Sequence, residues 1–108
     1  MPVFNEMNIS EAPSWVGISH YGIGRLKKGD SVESHYHDCD EFWFVVEGRG
    51  KIRTENQTYT VSPGEVVCTK MGEDHEVAEV LEEPFTIVWV EKELKGKKRT
   101  GHLHRGEE

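Results

Sequence analysis

The chain contains no run of about 18 apolar residues, so a helical membrane span is excluded. Cysteine is scarce: Cys39 and Cys68 stand far apart and form no CxxC pair, which points to two reduced thiols inside a cell. Long helical patterning is absent as well, because no window of about 11 residues repeats its apolar positions every 3.6 residues. Internal repeats and low-complexity linkers are lacking. The segment Met1–Glu6 has neither the basic nor the apolar stretch of a secretory signal, so a cytoplasmic protein is expected. The sequons at Asn8 and Asn56 carry no weight without export.

Basic charge is also short. Thirteen Lys and Arg face twenty Asp and Glu, a net charge of -7. From Lys92 to Glu108 six basic residues meet three acidic ones, a local +3, which leaves -10 on residues 1–91. An acidic body repels phosphate backbones, so nucleic acid is not an expected partner. The run Lys95-Gly96-Lys97-Lys98-Arg99 reads as a solvated tail rather than a polyanion patch, and a tail of that sign can lie across the acidic body of its own or a partner subunit. With 108 residues, 35% hydrophobic, and a mean hydropathy of -0.65, there is material for one modest core. The expected division is a domain over 1–91 and a basic tail or edge strand over 92–108.

What is plentiful is punctuation. Gly29, Gly48, Gly50, Pro63-Gly64, Gly72 and Pro84 separate short stretches rich in Val, Ile, Thr, Phe, Tyr and Trp. Strands are predicted at 15–27, 31–37, 40–47, 50–55, 58–62, 65–70, 75–81 and 85–92, with one short turn near Ser10–Pro13. Some eight short strands suggest an all-β jelly-roll or small antiparallel barrel whose interior can hold a ligand.

Four residues carry the chemistry. Alternation along a strand turns His35 and His37 to one side, and Glu41 follows at short range. Together with His75 they make a candidate shell of three imidazoles and one carboxylate. That set suits Fe, Mn, Ni, Cu or Zn better than Ca or Mg, which prefer oxygen. If Glu41 faces inward, Trp43 and Val45 do too; if His75 does, Val77 and Glu79 follow. Trp43, Val45 and Val77 are therefore expected to line a substrate pocket. Phe42 and Phe44 should face the other way, in a subunit interface, and Tyr36 should pack opposite the two histidines.

Written out, the segment is Gly29, five residues, His35-Tyr36-His37, three residues, Glu41, six residues, Gly48. Further on come Gly64, five residues, Lys70-Met71-Gly72, two residues, His75, three residues, Glu79. The first pattern meets every fixed position of the first cupin motif. The second resembles the second cupin motif, with Lys70 where that motif has proline and Glu79 where it has asparagine. The resemblance spans about residues 20 to 90. It implies a small β-barrel, often dimeric, with a divalent transition metal held by His35, His37, Glu41 and His75. It also implies a wide range of activities: dioxygenases, decarboxylases, isomerases, epimerases, lyases and plain binding proteins.

On this reading the protein is a metal-dependent enzyme acting on a small organic molecule. Fe or Mn is the favoured ion, and dioxygenase-type chemistry stands slightly ahead. The alternatives are a sugar isomerase or epimerase, or a non-catalytic binding or sensing module. Glu41 is the candidate catalytic proton carrier. The other histidines take bland readings: His20 is structural or on the surface, and His102 and His104 belong to the tail. Cys39 reads as a loop residue and Cys68 as core. Trp15 and Trp89 read as core or pocket wall, and Glu79 as a surface charge. Gly22-Ile23-Gly24 lacks the rest of a dinucleotide fingerprint and is discarded.

Overall fold

The computed structural model describes residues 2–94 and 99–106. Lys95, Gly96, Lys97 and Lys98, most of the basic run, lie outside the described residues.

Six strands form one antiparallel sheet: β1 (Ile18–Leu26), β2 (Val32–His35), β3 (Glu41–Thr54), β4 (Gln57–Val61), β5 (Val66–Thr69) and β6 (His75–Lys92). The order is β1-β6-β3-β4, with β2 beside β6 and β5 beside β3. The fold is an all-β jelly-roll, as expected, and no α-helix occurs among the described residues. Two short 3-10 turns, Ile9–Glu11 and Ser14–Val16, precede β1 where one was predicted.

Six strands rather than eight result because β3 and β6 each continue through punctuation that reads as a break. β3 runs 14 residues and β6 runs 18, paired along almost their whole length with register shifts where β3 passes Gly48. Gly48 has φ +74, and a Cβ there would stand 2.2 Å from the Pro84 carbonyl oxygen and 2.4 Å from that of Glu82. The glycine permits the bend that joins two predicted strands, and the Pro84 segment of β6 lies against it. A second shift, between Lys51↔Glu79 and Ile52↔Val77, changes the inward phase of β6. Val77 is buried, whereas Glu79 is exposed and pairs with Lys51 at 3.5 Å. Glu79 is therefore the surface charge expected, and simple alternation from His75 fails at this bulge.

The core gathers Trp43, Val45, Ile52, Val61, Val77, Val80, Phe85 and Ile87 on the concave face. Phe85 and Ile52 are fully buried, each worth roughly 1.5–3 kcal/mol relative to exposure. The convex face carries Ile23, Val88, Phe44 and Val66 in one cross-strand row. Phe44 and Val66 are each 45% exposed and Ile23 49%. Cys68, predicted in the core, is exposed on this face opposite Phe42, because the register turns its neighbour Val67 toward Trp43 instead. Trp15 is likewise no core residue; it lies at the surface in the second 3-10 turn.

Candidate metal centre

The long antiparallel pairings explain how four residues far apart in sequence meet. β2 pairs with β6 so that His35 stands opposite His75, and Glu41 opens β3 two residues before inward-facing Trp43. His37 follows β2 in the connection to β3. The turn into His75 keeps its form without the motif's proline. The Glu73 carboxylate accepts from the Lys70 amide at 2.7 Å, and Gly72, at φ +86, donates to the His37 carbonyl at 3.0 Å. One donor atom from each of His35, His37, Glu41 and His75 lies within 4.8 Å of every other, and all four residues are buried.

The hydrogen bonds fix which nitrogen is free. His35 Nδ1 lies 2.8 Å from the Glu33 carbonyl and His75 Nδ1 lies 3.0 Å from that of Glu73. A carbonyl only accepts, so each Nδ1 carries a proton and, in the neutral ring, each Nε2 presents a lone pair inward. Burial, opposed only in part by that carbonyl bond, lowers the pKa of His35 to about 3 and keeps it neutral. Beside them, Glu41 Oε1 lies 2.9 Å from His75 Nε2 and 3.4 Å from His37 Nε2. These three atoms are buried and have no hydrogen-bond partner of good geometry. A carboxylate oxygen facing an imidazole lone pair at 2.9 Å repels it unless a cation lies between them. A proton satisfies one such contact; a divalent ion satisfies all of them at once. The residues fit a metal, and these four can hold one.

Two acidic groups behave differently. Burial works against the charge of Glu41, yet the His37 and His75 imidazoles beside it hold its carboxyl well below the usual range. Glu91, its cross-strand neighbour on β6, is pushed up to about 7 by burial, aided by the nearby Glu41 charge and opposed by His37. Its Oε2 lies 3.5 Å from His37 Nδ1. Those carboxylates and a bond to the Gly101 carbonyl outweigh burial and raise the pKa of His37.

Beside the cluster opens a cavity of about 180 Å³. Leu26, Val32, Trp43, Val77, Ile87 and Trp89 supply apolar wall; His35, Glu41, Glu91 and His102 supply polar groups. Of the expected lining residues, Trp43 and Val77 are in place. Trp43 meets the His75 ring edge-on at 5.1 Å. Val45, two residues further along β3, packs into the core cluster instead and is not part of this wall.

The geometry also bears on residues outside the four-residue shell, among them Trp89, read as core or pocket wall. Trp89 lies flat on Gly22, where a Cβ would come within 2.6 Å of the indole. Glu91 shares a face with Trp89 by strand alternation, but both faces of β6 are apolar enough to hide the phase. His20 is largely exposed, as expected, yet its Nδ1 reaches to 3.8 Å from Glu91. The expectation for His102 is overturned. Its ring stacks on His35 at 3.8 Å between centroids and 19° between planes. Cys39 is buried, and burial together with nearby Glu91 and Glu41 pushes its thiol up to about 12, so it is no thiolate ligand.

The cupin-domain family model matches residues 22–91. The chain belongs to the cupin family. A further relative, the uncharacterized protein y4oW of Sinorhizobium fredii (strain NBRC 101917 / NGR234), is 38% identical over 76 residues. That match covers 70% of this cupin and 35% of the relative, so the chain spans about a third of the length of the curated protein it matches. Among solved structures it is similar to a predicted oxalate decarboxylase from Thermotoga maritima, with TM-score 0.69 and 23% identity over 80% of this chain and 74% of that one. It is similar too to the DMSP lyase DddQ from Ruegeria pomeroyi DSS-3, with TM-score 0.68 and 18% identity over 80% and 42% of the two chains. At these identities the structures establish the cupin fold and nothing finer. No helix among the described residues is long and apolar enough to cross a membrane.

Proposed function

We propose that this cupin is a metal-dependent enzyme acting on a small organic molecule, with oxidoreductase chemistry of the dioxygenase kind as the leading reaction type. The observation that carries the reading is the buried Glu41 Oε1 set 2.9 and 3.4 Å from two imidazole nitrogens, all three atoms unpartnered beside an apolar cavity. His35, His37, Glu41 and His75 would hold one divalent ion. Three nitrogens and one oxygen suit Fe or Mn, with Ni, Zn and Cu also compatible. When bound, such an ion supplies Lewis acidity toward a substrate oxygen.

The protein's own part follows from its side chains. Trp43, Trp89 and Val77 exclude water and bound the substrate in an apolar wall. Glu41 is the group placed to carry a proton, since its carboxylate touches both the cluster and the cavity. Glu91, 3.5 Å from His37 Nδ1, sets a carboxyl group beside that imidazole, and the Gly101 carbonyl accepts from the ring. The cavity is smaller than the roughly 300 Å³ at which drug-sized sites begin, which favours a compact substrate. The acidic body argues against polyanions, and the convex row of Ile23, Val88, Phe44 and Val66 favours pairing with a second copy.

The test is metal analysis of untagged protein prepared without chelator, followed by oxygen uptake with small catechols, thiols and diketones. One Fe or Mn per chain and substrate-dependent oxygen uptake are expected. Protein that takes up no transition metal, even when it is supplied, would overturn the proposal.

A further inference from the structure

The stretch Arg99–Arg105 crosses the cupin body beside the cluster and is fastened at several independent points. The Asp38 carboxylate accepts from the Arg99 backbone amide at 3.0 Å and from its Nε and Nη2 at 2.9 and 3.3 Å. Leu103 and Tyr36 exchange two backbone hydrogen bonds, both 2.9 Å, as an isolated antiparallel bridge. The Arg105 guanidinium lies 4.0 Å from the centre of the Tyr36 ring and donates to the Gly72 carbonyl. Tyr36 is thereby clamped between sheet and strap, only 3% exposed.

What these fastenings hold is His102. Its ring lies against His35, 5.4 Å from that of His37, and forms part of the cavity wall. One residue earlier, Gly101 at φ +79 turns its carbonyl to the His37 ring. His102 does not belong to the compact donor set of four. It stands beside that set, in the wall of the cavity from which a small molecule would reach the metal.

We propose that residues 99–106 form a strap closing one side of the metal pocket, and that His102 is a specificity-determining residue whose ring limits the size of the molecule admitted there. The ligand class is a compact molecule with a donor atom at one end and an apolar body, such as a small heterocycle or carboxylate. The inference rests on the metal reading proposed above. It goes beyond it in assigning a role to a tail that the cupin motifs do not contain.

Exogenous imidazole is the probe, because it matches the volume that His102→Ala vacates. Its affinity is read from the visible spectrum of the Co(II)-loaded full-length protein. Imidazole should bind His102→Ala about tenfold or more tightly than wild type, in keeping with the selectivity that a group of this size confers in a pocket. Arg105→Ala, which frees one fastening, should shift affinity in the same direction by less. His102→Phe keeps a ring over His35 and should exclude imidazole as wild type does. Equal affinity in wild type and His102→Ala, with Co(II) bound one per chain in both, would sink the strap while leaving the metal centre standing. Tight imidazole binding by His102→Phe would equally refute the size limit. Wild-type protein that takes up no Co(II) removes the metal reading itself.

Discussion

Glu91→Gln separates metal binding from stability more sharply than any ligand deletion. Glu91 sits across the sheet from Glu41, 3.5 Å from His37 Nδ1, and its carboxyl titrates near 7 because burial and the Glu41 charge disfavour its ionised form. A buried carboxyl raised from 4.5 to about 7 destabilises the metal-free fold above pH 7 by about 3–4 kcal/mol, at about 1.4 kcal/mol per unit. Glutamine removes that charge at nearly constant volume, so metal-free Glu91→Gln should melt at a higher temperature than wild type at pH 8. With metal bound the sign reverses. A carboxylate 3.5 Å from the far nitrogen of His37 makes that ligand more basic; losing such a partner costs about tenfold to a hundredfold in affinity, or about 1.4–2.7 kcal/mol. The Gly101 carbonyl stays in place to accept from the His37 ring, which favours the lower end of that range. Two measurements decide it: melting of the metal-free protein, and competition for metal against a chelating indicator. A variant that binds metal as tightly as wild type would refute Glu91 as a partner of the site, and a metal-free variant less stable than wild type would refute the charge argument.

His37→Ala should lose stoichiometric metal, as should His75→Ala, whereas His104→Ala should retain it; equal retention in all three, by metal analysis, contradicts the four-residue assignment. In native protein a thiol reagent should label exposed Cys68 quickly and buried Cys39 only on unfolding, so Cys68→Ser should show no fast-reacting thiol. Gly48→Ala places a Cβ against two backbone carbonyls at a positive φ and should cost more than about 2 kcal/mol in urea unfolding; a loss below about 0.5 kcal/mol would mean that the bend is not needed. The metal-free protein should lose stability only gently between about pH 6.5 and 4.5. There His35, depressed to about 3, and His102, also depressed by burial, lose stability as pH falls, while Glu91, raised to about 7, gains it. The raised pKa of His37 contributes stability that is complete below its ordinary 6.5, so it adds no slope there. Below about pH 4.5 depressed Glu41 joins His35 with the same sign, and denaturant midpoints should drop steeply; a midpoint that rises on acidification past pH 4 would contradict the depression of these two groups.

The centre of the site was readable because short-range chemistry and strand geometry agree there. His35, His37 and Glu41 are separated by spacings that a strand end and a turn convert directly into proximity, and His75 has its own turn, now closed by Glu73 rather than by proline. The wall was read only where alternation stays in phase. Trp43 follows Glu41 correctly, and Val77 follows His75, but the shift between Val77 and Glu79 ends the inference. Beyond it, Phe85, Ile87, Trp89 and Glu91 resume an inward phase that no local pattern announces, since Val88 and Val90 on the other face are equally apolar. Gly48 and Pro84 misled in the opposite sense. Both usually end strands, and here one of them lets a strand bend against the other.

The tail was opaque for a deeper reason. His102 and His104 repeat the spacing of His35 and His37, yet no strand-like residues surround them, so a reading by periodicity assigns them to solvent. Their placement comes from charge and from one backbone bridge rather than from hydrophobic burial: Arg99 on Asp38, Arg105 near Asp74 at 3.5 Å, and His104 near Glu33 at 3.5 Å. The tail's excess of basic charge and the body's excess of acid are the signal for that contact, but net charge indicates attraction without register. Register is set by Leu103 opposite Tyr36, and that pairing is what brings His102, one residue away, onto His35. Attraction of this kind is screened by salt, whereas the apolar packing of the barrel is not. The strap should therefore loosen from the site at ionic strengths that leave the β-barrel intact, and imidazole binding to Co(II)-loaded wild-type protein should tighten as salt is raised. Binding that is indifferent to salt would mean that the bridge and the ring stack, not the charges, hold His102 in place.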